Sequence, residues 1–281
     1  MLPADLREQF DRDGFIVIRD FLPKETFARL QSDLVETPLP TRVHQQGDTL
    51  TRRVAIGPEV RARFPQLDQL LDSSTWKGVM SYVASTRNQP LYYIQSILGA
   101  AVDGPPDPQL QLHADTFHPS MKAWLFLTDV EEDGRPLTYV AGSHRLSPER
   151  LYWEQRRSVT VLDEGDRLSE RGSLRISVEE LPALGLPPPT RFAVPANTLV
   201  VIDTYGFHAR GDSHRPTKRV ELWAFSRRSP FLPWVGGGLP LMQSFADRRA
   251  GWIHSLVDWA DRRGWRKQHW APEGLRRPID G

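Results

Sequence analysis

The sequence lacks cysteine, and its acidic and basic residues are almost equal in number. The lack of cysteine excludes disulfides, thiolate metal ligands and cysteine nucleophiles, so any metal site must use histidine and carboxylate side chains. With 36 Lys and Arg against 35 Asp and Glu, the chain has no strong overall field that would attract nucleic acid. We therefore expect no nucleic-acid partner.

Long apolar runs are also missing. No segment approaches the roughly 18 consecutive apolar residues that a membrane-spanning helix needs. The opening residues, MLPADLREQFDRDGF, are acidic and lack the apolar stretch of a signal peptide. We expect a soluble, cytoplasmic protein.

Hydrophobic spacing predicts helices at both ends of the chain and strands between them. Residues 36–72 are polar and indicate only a short helix near 65–72. Other helices are predicted at residues 3–12, from Pro23 to about 36, at 74–84, from Ser147 onward and within 245–263. Short segments rich in β-branched and aromatic residues predict strands at 15–21, 91–102, 111–115, 122–130, 136–142, 198–209 and 219–228.

The last forty residues combine an amphipathic helix with a basic, aromatic tail. The helix places Trp252, Ile253, Leu256, Val257 and Ala260 on one face, which we expect to pack against the strands. The tail, RRGWRKQHW, has two interpretations: solvated arginines around packed tryptophans, or a surface for an anionic ligand or peripheral membrane contact.

His113 and Asp115 flank one residue at the end of a predicted strand, so their side chains project to the same side. Two histidines and one carboxylate on one octahedral face would hold iron(II) and leave three positions open. His208, at the end of the apolar run TLVVIDTYGFH, is the preferred third ligand. His214 is the alternative, but it lies in a polar turn that would fix a ligand poorly.

Arg219 follows His208 by eleven residues and begins the predicted strand RVELWAF. An arginine that faces inward from a strand is costly to bury without an anion, and its planar fork suits a carboxylate. The spacing therefore indicates an anion site near the metal ligands.

Together these elements resemble the phytanoyl-CoA dioxygenase-like (PhyH) iron/2-oxoglutarate oxygenases. The resemblance rests on His113-Ala114-Asp115, Trp124 to Val130, Gly142-Ser143-His144-Arg145, His208 and Arg219, in that order, after the opening FDRDGFIVIRDFLPKETFARL. It implies a mainly β fold with flanking helices, a double-stranded β-helix or jelly roll of the cupin-like type. One domain would span residues 1–281, with a jelly-roll core at about 90–228, an N-terminal helical buttress at about 3–85 and the C-terminal helix and tail at about 240–281.

The resemblance also implies the reaction. His113, Asp115 and His208 would bind Fe(II), Arg219 would anchor 2-oxoglutarate, and O2 would be the oxidant, with release of succinate and CO2. The carboxylate at Asp115 favours hydroxylation, because related halogenases have a small residue there. The expected substrate is a small or medium polar molecule, with anionic groups as one option that the many arginines would suit.

Further co-substrate contacts stay open. Trp124 resembles an aromatic that family members place beside the co-substrate, although a core tryptophan is an equal alternative. Arg210 stands where the family often has a hydroxyl residue, so other side chains must complete that pocket. The candidates are Tyr92, Tyr93, Gln95 and Gln111, with Gln111 and Tyr93 preferred.

Two other classes of protein remain as alternatives. A cupin-like isomerase or hydrolase could use the same metal ligands, but it would have no need for Arg219 at its spacing. A jelly-roll binding module without catalysis would treat His113, Asp115 and His208 as ordinary polar residues.

Overall fold

A computed structural model of the chain describes residues 2–226 and 240–280. Its helices are α1 (Ala4–Asp13), α2 (Lys24–Glu36), α3 (Pro58–Arg63), α4 (Pro65–Asp72), α5 (Ser74–Ala84), α6 (Pro148–Glu164) and α7 (Pro240–Arg262). Its strands are β1 (Phe15–Ile18), β2 (Leu39–Gln46), β3 (Thr49–Ala55), β4 (Leu91–Gly99), β5 (Met121–Phe126), β6 (Leu137–Tyr139), β7 (Thr190–Arg191), β8 (Leu199–Asp203), β9 (His208–Arg210), β10 (Thr217–Ser226) and β11 (Ala271–Arg276).

Two antiparallel sheets form the centre of the fold. The larger has eight strands in the order β1-β8-β5-β10-β4-β3-β2-β11, and the smaller has three in the order β7-β6-β9. Isolated bridges continue the smaller sheet at His113, which pairs with both Arg175 and His208. The arrangement is the expected jelly roll, mainly β with flanking helices.

The central strands of the large sheet are buried on both faces, and their side chains alternate between the two faces. One face packs against the N-terminal helices, where Ile94 and Leu222 meet Leu34 and Trp76 in one core cluster. The opposite face packs against the small sheet through a second cluster containing Trp124, Phe126, Trp223, Leu137 and Tyr139. The functional site lies on this second face.

The predicted N-terminal elements are confirmed. The helix at residues 3–12 is α1, and Gly14 ends it with a left-handed φ of 84° while its N–H donates to the Phe10 carbonyl. The next predicted elements are β1 and α2, whose Phe27, Leu30 and Leu34 are buried. The helices predicted near 65–72 and at 74–84 are α4 and α5.

The N-terminal region contains two strands that the sequence did not indicate. Two strands, β2 and β3, occupy much of the polar stretch 36–72 and join the large sheet beside β4. The tail contains a strand as well, because β11 pairs with β2 at the sheet edge. The division of the chain into core, buttress and tail otherwise remains a prediction.

The predicted packing face of α7 is wrong. Trp252, Ile253 and Leu256 are 51%, 46% and 63% exposed, whereas Ala250 on another side of the helix is 3% exposed. An ion pair between Asp258 and Arg42 of β2 and a ring contact between His254 and Tyr93 hold the helix against the sheet, and Ala250 belongs to the core cluster on that face. Of the helices in residues 2–226 and 240–280, none combines the length and apolarity needed to cross a bilayer.

Candidate metal centre

Backbone pairing brings the two histidines together. The N–H of His113 donates to the His208 carbonyl at 2.9 Å, and the reverse bond is also 2.9 Å. His113 lies in two isolated bridges and not at the end of a strand, while His208 begins β9, separate from the apolar strand β8. The two imidazole rings lie 4.5 Å apart between centroids, so they face one small volume.

Asp115 completes the group. Its N–H donates to the Thr204 carbonyl at 2.9 Å. Its Oδ1 atom lies 3.8 Å from Nε2 of His113 and 3.6 Å from Nε2 of His208. Across the described parts of the chain, these three residues are the group of potential ligands whose donor atoms all lie within 4.8 Å of one another.

The donor set fits a divalent metal ion. Bonds of about 2.1 Å at angles of 90–120° would place neighbouring ligand atoms about 3.0–3.7 Å apart, close to the separations found here. Nδ1 of His113 lies 2.7 Å from the Gln111 carbonyl, and Nδ1 of His208 lies 3.0 Å from the Gly206 carbonyl. Because a carbonyl only accepts, each Nδ1 carries the proton and each Nε2 keeps its lone pair for a metal.

Charge in the site favours the metal-binding forms. Burial lowers the pKa of His113 well below its usual value, which keeps that imidazole neutral. Burial alone would raise the pKa of Asp115, but the ammonium of Lys122 and the nearby histidines hold it well below its usual range. Lys122 lies 2.6 Å from Oδ2 of Asp115 and 3.5 Å from Nε2 of His208, where it neutralises the carboxylate. A neutral imidazole and an ionised carboxylate are the forms that coordinate metals.

The three residues open onto a cavity of about 350 Å³ between the two sheets. Trp124 of β5 and Arg219 of β10 line it together with the metal ligands. Residues two positions apart in a strand project to the same face, so Lys122 and Trp124 of β5 share the inner face with Arg219, Glu221 and Trp223 of β10.

Arg219 faces the cavity as predicted, but it already has a protein partner. Arg219 is 4% exposed, and its Nε donates to Oε2 of Glu221 at 2.9 Å. A second guanidinium nitrogen donates to the Arg135 carbonyl. Glu221 is fully buried and also accepts from the amide of Gln95 at 2.5 Å. The remaining Nη2 of Arg219 has no acceptor within the described residues.

Comparison with known proteins gives the family. A sequence model described as phytanoyl-CoA dioxygenase (PhyH) matches residues 10–169, more than half of the chain. The chain belongs to the PhyH family. A search of curated proteins found no match to this PhyH-family chain.

Solved structures agree on the fold of this PhyH-family chain. HygX from Streptomyces hygroscopicus, solved with nickel and 2-oxoglutarate bound, has 17% identity and a TM-score of 0.50, over 80% of this chain and 86% of HygX. SnoN, a non-haem alpha-ketoglutarate-dependent epimerase from nogalamycin biosynthesis, has 18% identity and a TM-score of 0.50, over 83% of this chain and 91% of SnoN. At such identities the likeness shows the fold alone.

Two predicted co-substrate contacts of this PhyH-family chain lie elsewhere. The side chain of Gln111 is exposed and does not line the cavity; its carbonyl instead orients His113. Tyr93 is buried outside the cavity lining, with its ring 5.7 Å from Trp223 between centroids and 6.3 Å from His254. The strand that contains Tyr93 was predicted correctly, whereas Gln111 lies in a loop and not in the strand predicted at 111–115; in neither case did the pattern give the direction of the side chain.

Several cavity residues were not foreseen as partners. Gln95, one of the open candidates, lines the cavity and links Glu221 to Arg53 of β3, whose Nε donates to Oε1 of Gln95 at 2.6 Å. Arg210 forms an ion pair with the buried Asp107. The register of the strands explains the contacts of Gln95, because Arg53, Gln95 and Glu221 are direct neighbours on three adjacent strands.

The other histidines stay outside the metal centre. His118 contacts the Pro119 carbonyl through Nδ1, and His214 is exposed in its polar turn, as expected. His144 packs against Phe10 at 5.6 Å between ring centroids, and burial lowers its pKa to about 4.

Proposed function

We propose that the protein is an iron(II)- and 2-oxoglutarate-dependent oxygenase. The observation that carries the proposal is the convergence of His113, Asp115 and His208 on a cavity that Arg219 also lines. Membership of the PhyH family supports the same class of enzyme. HygX, which shares the fold, was solved with nickel and 2-oxoglutarate, the kind of metal and co-substrate proposed here.

His113 and His208 would bind the iron through Nε2, and Asp115 through a carboxylate oxygen. When bound, iron with O2 and 2-oxoglutarate supplies the oxidising chemistry, and the co-substrate leaves as succinate and CO2. The protein holds the imidazoles in the correct tautomer through backbone carbonyls, which reduces the reorganisation needed on metal binding. Lys122 would have to leave Oδ2 of Asp115, or share it, when the cation enters.

Arg219 is the proposed anchor for the distal carboxylate of 2-oxoglutarate. Glu221 holds the Nε edge of its guanidinium and the Arg135 carbonyl holds one Nη group, so the group is fixed in orientation. The free Nη2 can donate to a carboxylate in the cavity. Trp124, which is 5% exposed, provides an apolar wall for the carbon chain of the co-substrate.

Hydroxylation of an unactivated C–H bond in a small or medium polar molecule is the proposed outcome. Asp115 would be the third protein ligand of the iron, which would leave the other metal positions to the co-substrate and O2. SnoN, an epimerase of the same fold, shows that such a scaffold also carries other oxidative outcomes. Mass analysis of the product separates them, because hydroxylation adds one oxygen atom and epimerisation adds none.

The anchor is tested by anaerobic titration of 2-oxoglutarate into nickel-loaded protein. Arg219→Ala should weaken co-substrate binding by at least about tenfold, the loss expected for a hydrogen bond to a charged group, while bound metal stays at the wild-type level. Arg171→Ala, at an exposed position, is the matched control and should bind as wild type does. Equal affinity in Arg219→Ala and wild type would refute the anchor assignment.

A further inference from the structure

Arg53 of β3 lies at one end of the cavity with an unusual set of neighbours. Its guanidinium carbon lies 4.0 Å from the ring centroid of Trp223 and 4.4 Å from that of Trp270, so two indoles cover the group. Trp270 comes from the basic, aromatic tail. The Nε edge is used by Gln95, and neither Nη group donates to an acceptor within the described residues.

Charge is balanced everywhere in the cavity except at this arginine. Arg53 has no carboxylate within 4 Å among the residues the structure describes. Each of the other lysines and arginines that line the cavity is paired: Lys122 with Asp115, Arg210 with Asp107, and Arg219 with Glu221. A divalent metal ion and dianionic 2-oxoglutarate would cancel each other, so one positive charge would remain after both had bound.

The environment of Arg53 makes this charge costly. The residue is half-buried by surface area, yet the protein around it is dense enough that burial lowers its pKa to about 10. It remains a cation at neutral pH, but a poorly hydrated one. Hydrogen bonds from a desolvated guanidinium fork to an anion are among the stronger polar contacts in proteins.

We propose that Arg53 binds one anionic group of the substrate, a carboxylate or a phosphate, through its free Nη edge. The proposal rests on the proposed function, because it assigns the substrate class of the same cavity. The Trp223 and Trp270 rings would hold the fork in one plane and shield the ion pair from water. Arg53 also borders a second cavity of about 820 Å³ beneath α7, so a substrate larger than the metal cavity can still reach it.

The test uses inorganic phosphate as the probe and metal-free, full-length protein. Line broadening of the phosphorus NMR signal should show saturable binding to wild type, and Arg53→Met should weaken it by at least about tenfold. Arg171→Met, at an exposed arginine, should leave binding unchanged. Phosphate affinity in Arg53→Met equal to that of wild type would overturn the proposal.

A second arm identifies which anion the site serves. The nickel-loaded Arg53→Met protein should bind 2-oxoglutarate within about threefold of wild type, since Arg219 is the proposed anchor for that molecule. A loss as large as that for phosphate would mean that Arg53 holds the co-substrate, which would overturn the substrate assignment. Failure of wild type to bind metal or 2-oxoglutarate would reject the proposed function and leave the phosphate result to be judged separately.

Arg53→Lys covers the case in which Arg53→Met does not fold. Lysine keeps the charge and can still reach Gln95, but it lacks the fork. We expect a loss of phosphate affinity of about threefold or more, and an unchanged affinity would again contradict the proposal.

Discussion

The buried pair of Arg219 and Glu221 allows a quantitative test of the cavity's electrostatics. Replacing Glu221 with Gln removes the carboxylate and keeps the side-chain shape. In the wild-type protein the fully buried carboxylate of Glu221 accepts a hydrogen bond from Arg219 on one oxygen and from Gln95 on the other. A glutamine has a single carbonyl oxygen, so one of these donors would lose its partner while Arg219 would lose its counter-charge.

The expected loss of stability follows from these contacts. Removing one member of a buried ion pair typically costs about 3–5 kcal/mol, because the remaining charge is uncompensated. Since the carbonyl of Arg135 and one amide oxygen still accept hydrogen bonds, we expect a value near the lower end, about 3 kcal/mol. For a domain of this size that corresponds to a fall in Tm of about 6–12 °C.

The assay is equilibrium denaturation of metal-free protein. Glu170→Gln is the matched control, because Glu170 is exposed, and its free energy of unfolding should lie within about 0.5 kcal/mol of wild type. An equally small change in Glu221→Gln would refute the reasoning, since it would mean that Arg219 does not depend on this carboxylate.

Three further predictions concern the rest of the fold. Burial raises the pKa of Asp203 to about 6, so the folded state binds the proton more tightly than the unfolded state, and the stability contributed by this group falls as pH rises from about 4 to 6. Asp203→Asn should therefore remove a difference of about 2 kcal/mol in the free energy of unfolding between pH 4.5 and pH 7.5, and an unchanged pH profile would contradict this. Leu256 is exposed, so Leu256→Ser should change the free energy of unfolding by less than about 0.5 kcal/mol. Leu34 is fully buried, so Leu34→Ala should cost about 2–5 kcal/mol. Similar losses in the two variants would show that α7 packs through its apolar face. Ser147→Ala should cost about 0.5–2 kcal/mol in the same assay, because the Ser147 hydroxyl accepts from the Arg150 N–H at the start of α6; no loss would show that this cap is not stabilising.

The site geometry was largely predictable because few residue types can form it. A chain without cysteine must bind a transition metal through histidine and carboxylate, and the short spacing of His113 and Asp115 restricts them to one volume. The inward direction of Arg219 followed from strand alternation. Its partner Glu221 lies two residues away on the same face, so the same alternation indicates their ion pair.

The strands β2 and β3 could not be recognised from hydrophobicity. Their polar side chains find partners on other elements: Arg52 forms an ion pair with Glu273 of β11, and Arg53 donates through Nε to Gln95 of β4. Such cross-strand partners are not visible in a local pattern, which records only the apolar face of an element.

Helix α7 shows a second limit of prediction from the sequence. Its apolar stripe correctly indicated a helix, but periodicity does not say which surface the helix meets. The ion pair of Asp258 with Arg42 and the ring contact of His254 determine the face that packs. The predicted elements are therefore more secure than the contacts between them.

The central claim is that three side chains form one metal site. Anaerobic titration of Fe(II), with bound metal counted per chain, tests it in wild type, His113→Ala and a His118→Ala control, whose imidazole lies outside the group. The account predicts one equivalent of iron in wild type and in His118→Ala, and a loss of at least about tenfold in affinity in His113→Ala. Equal iron in all three proteins would contradict it.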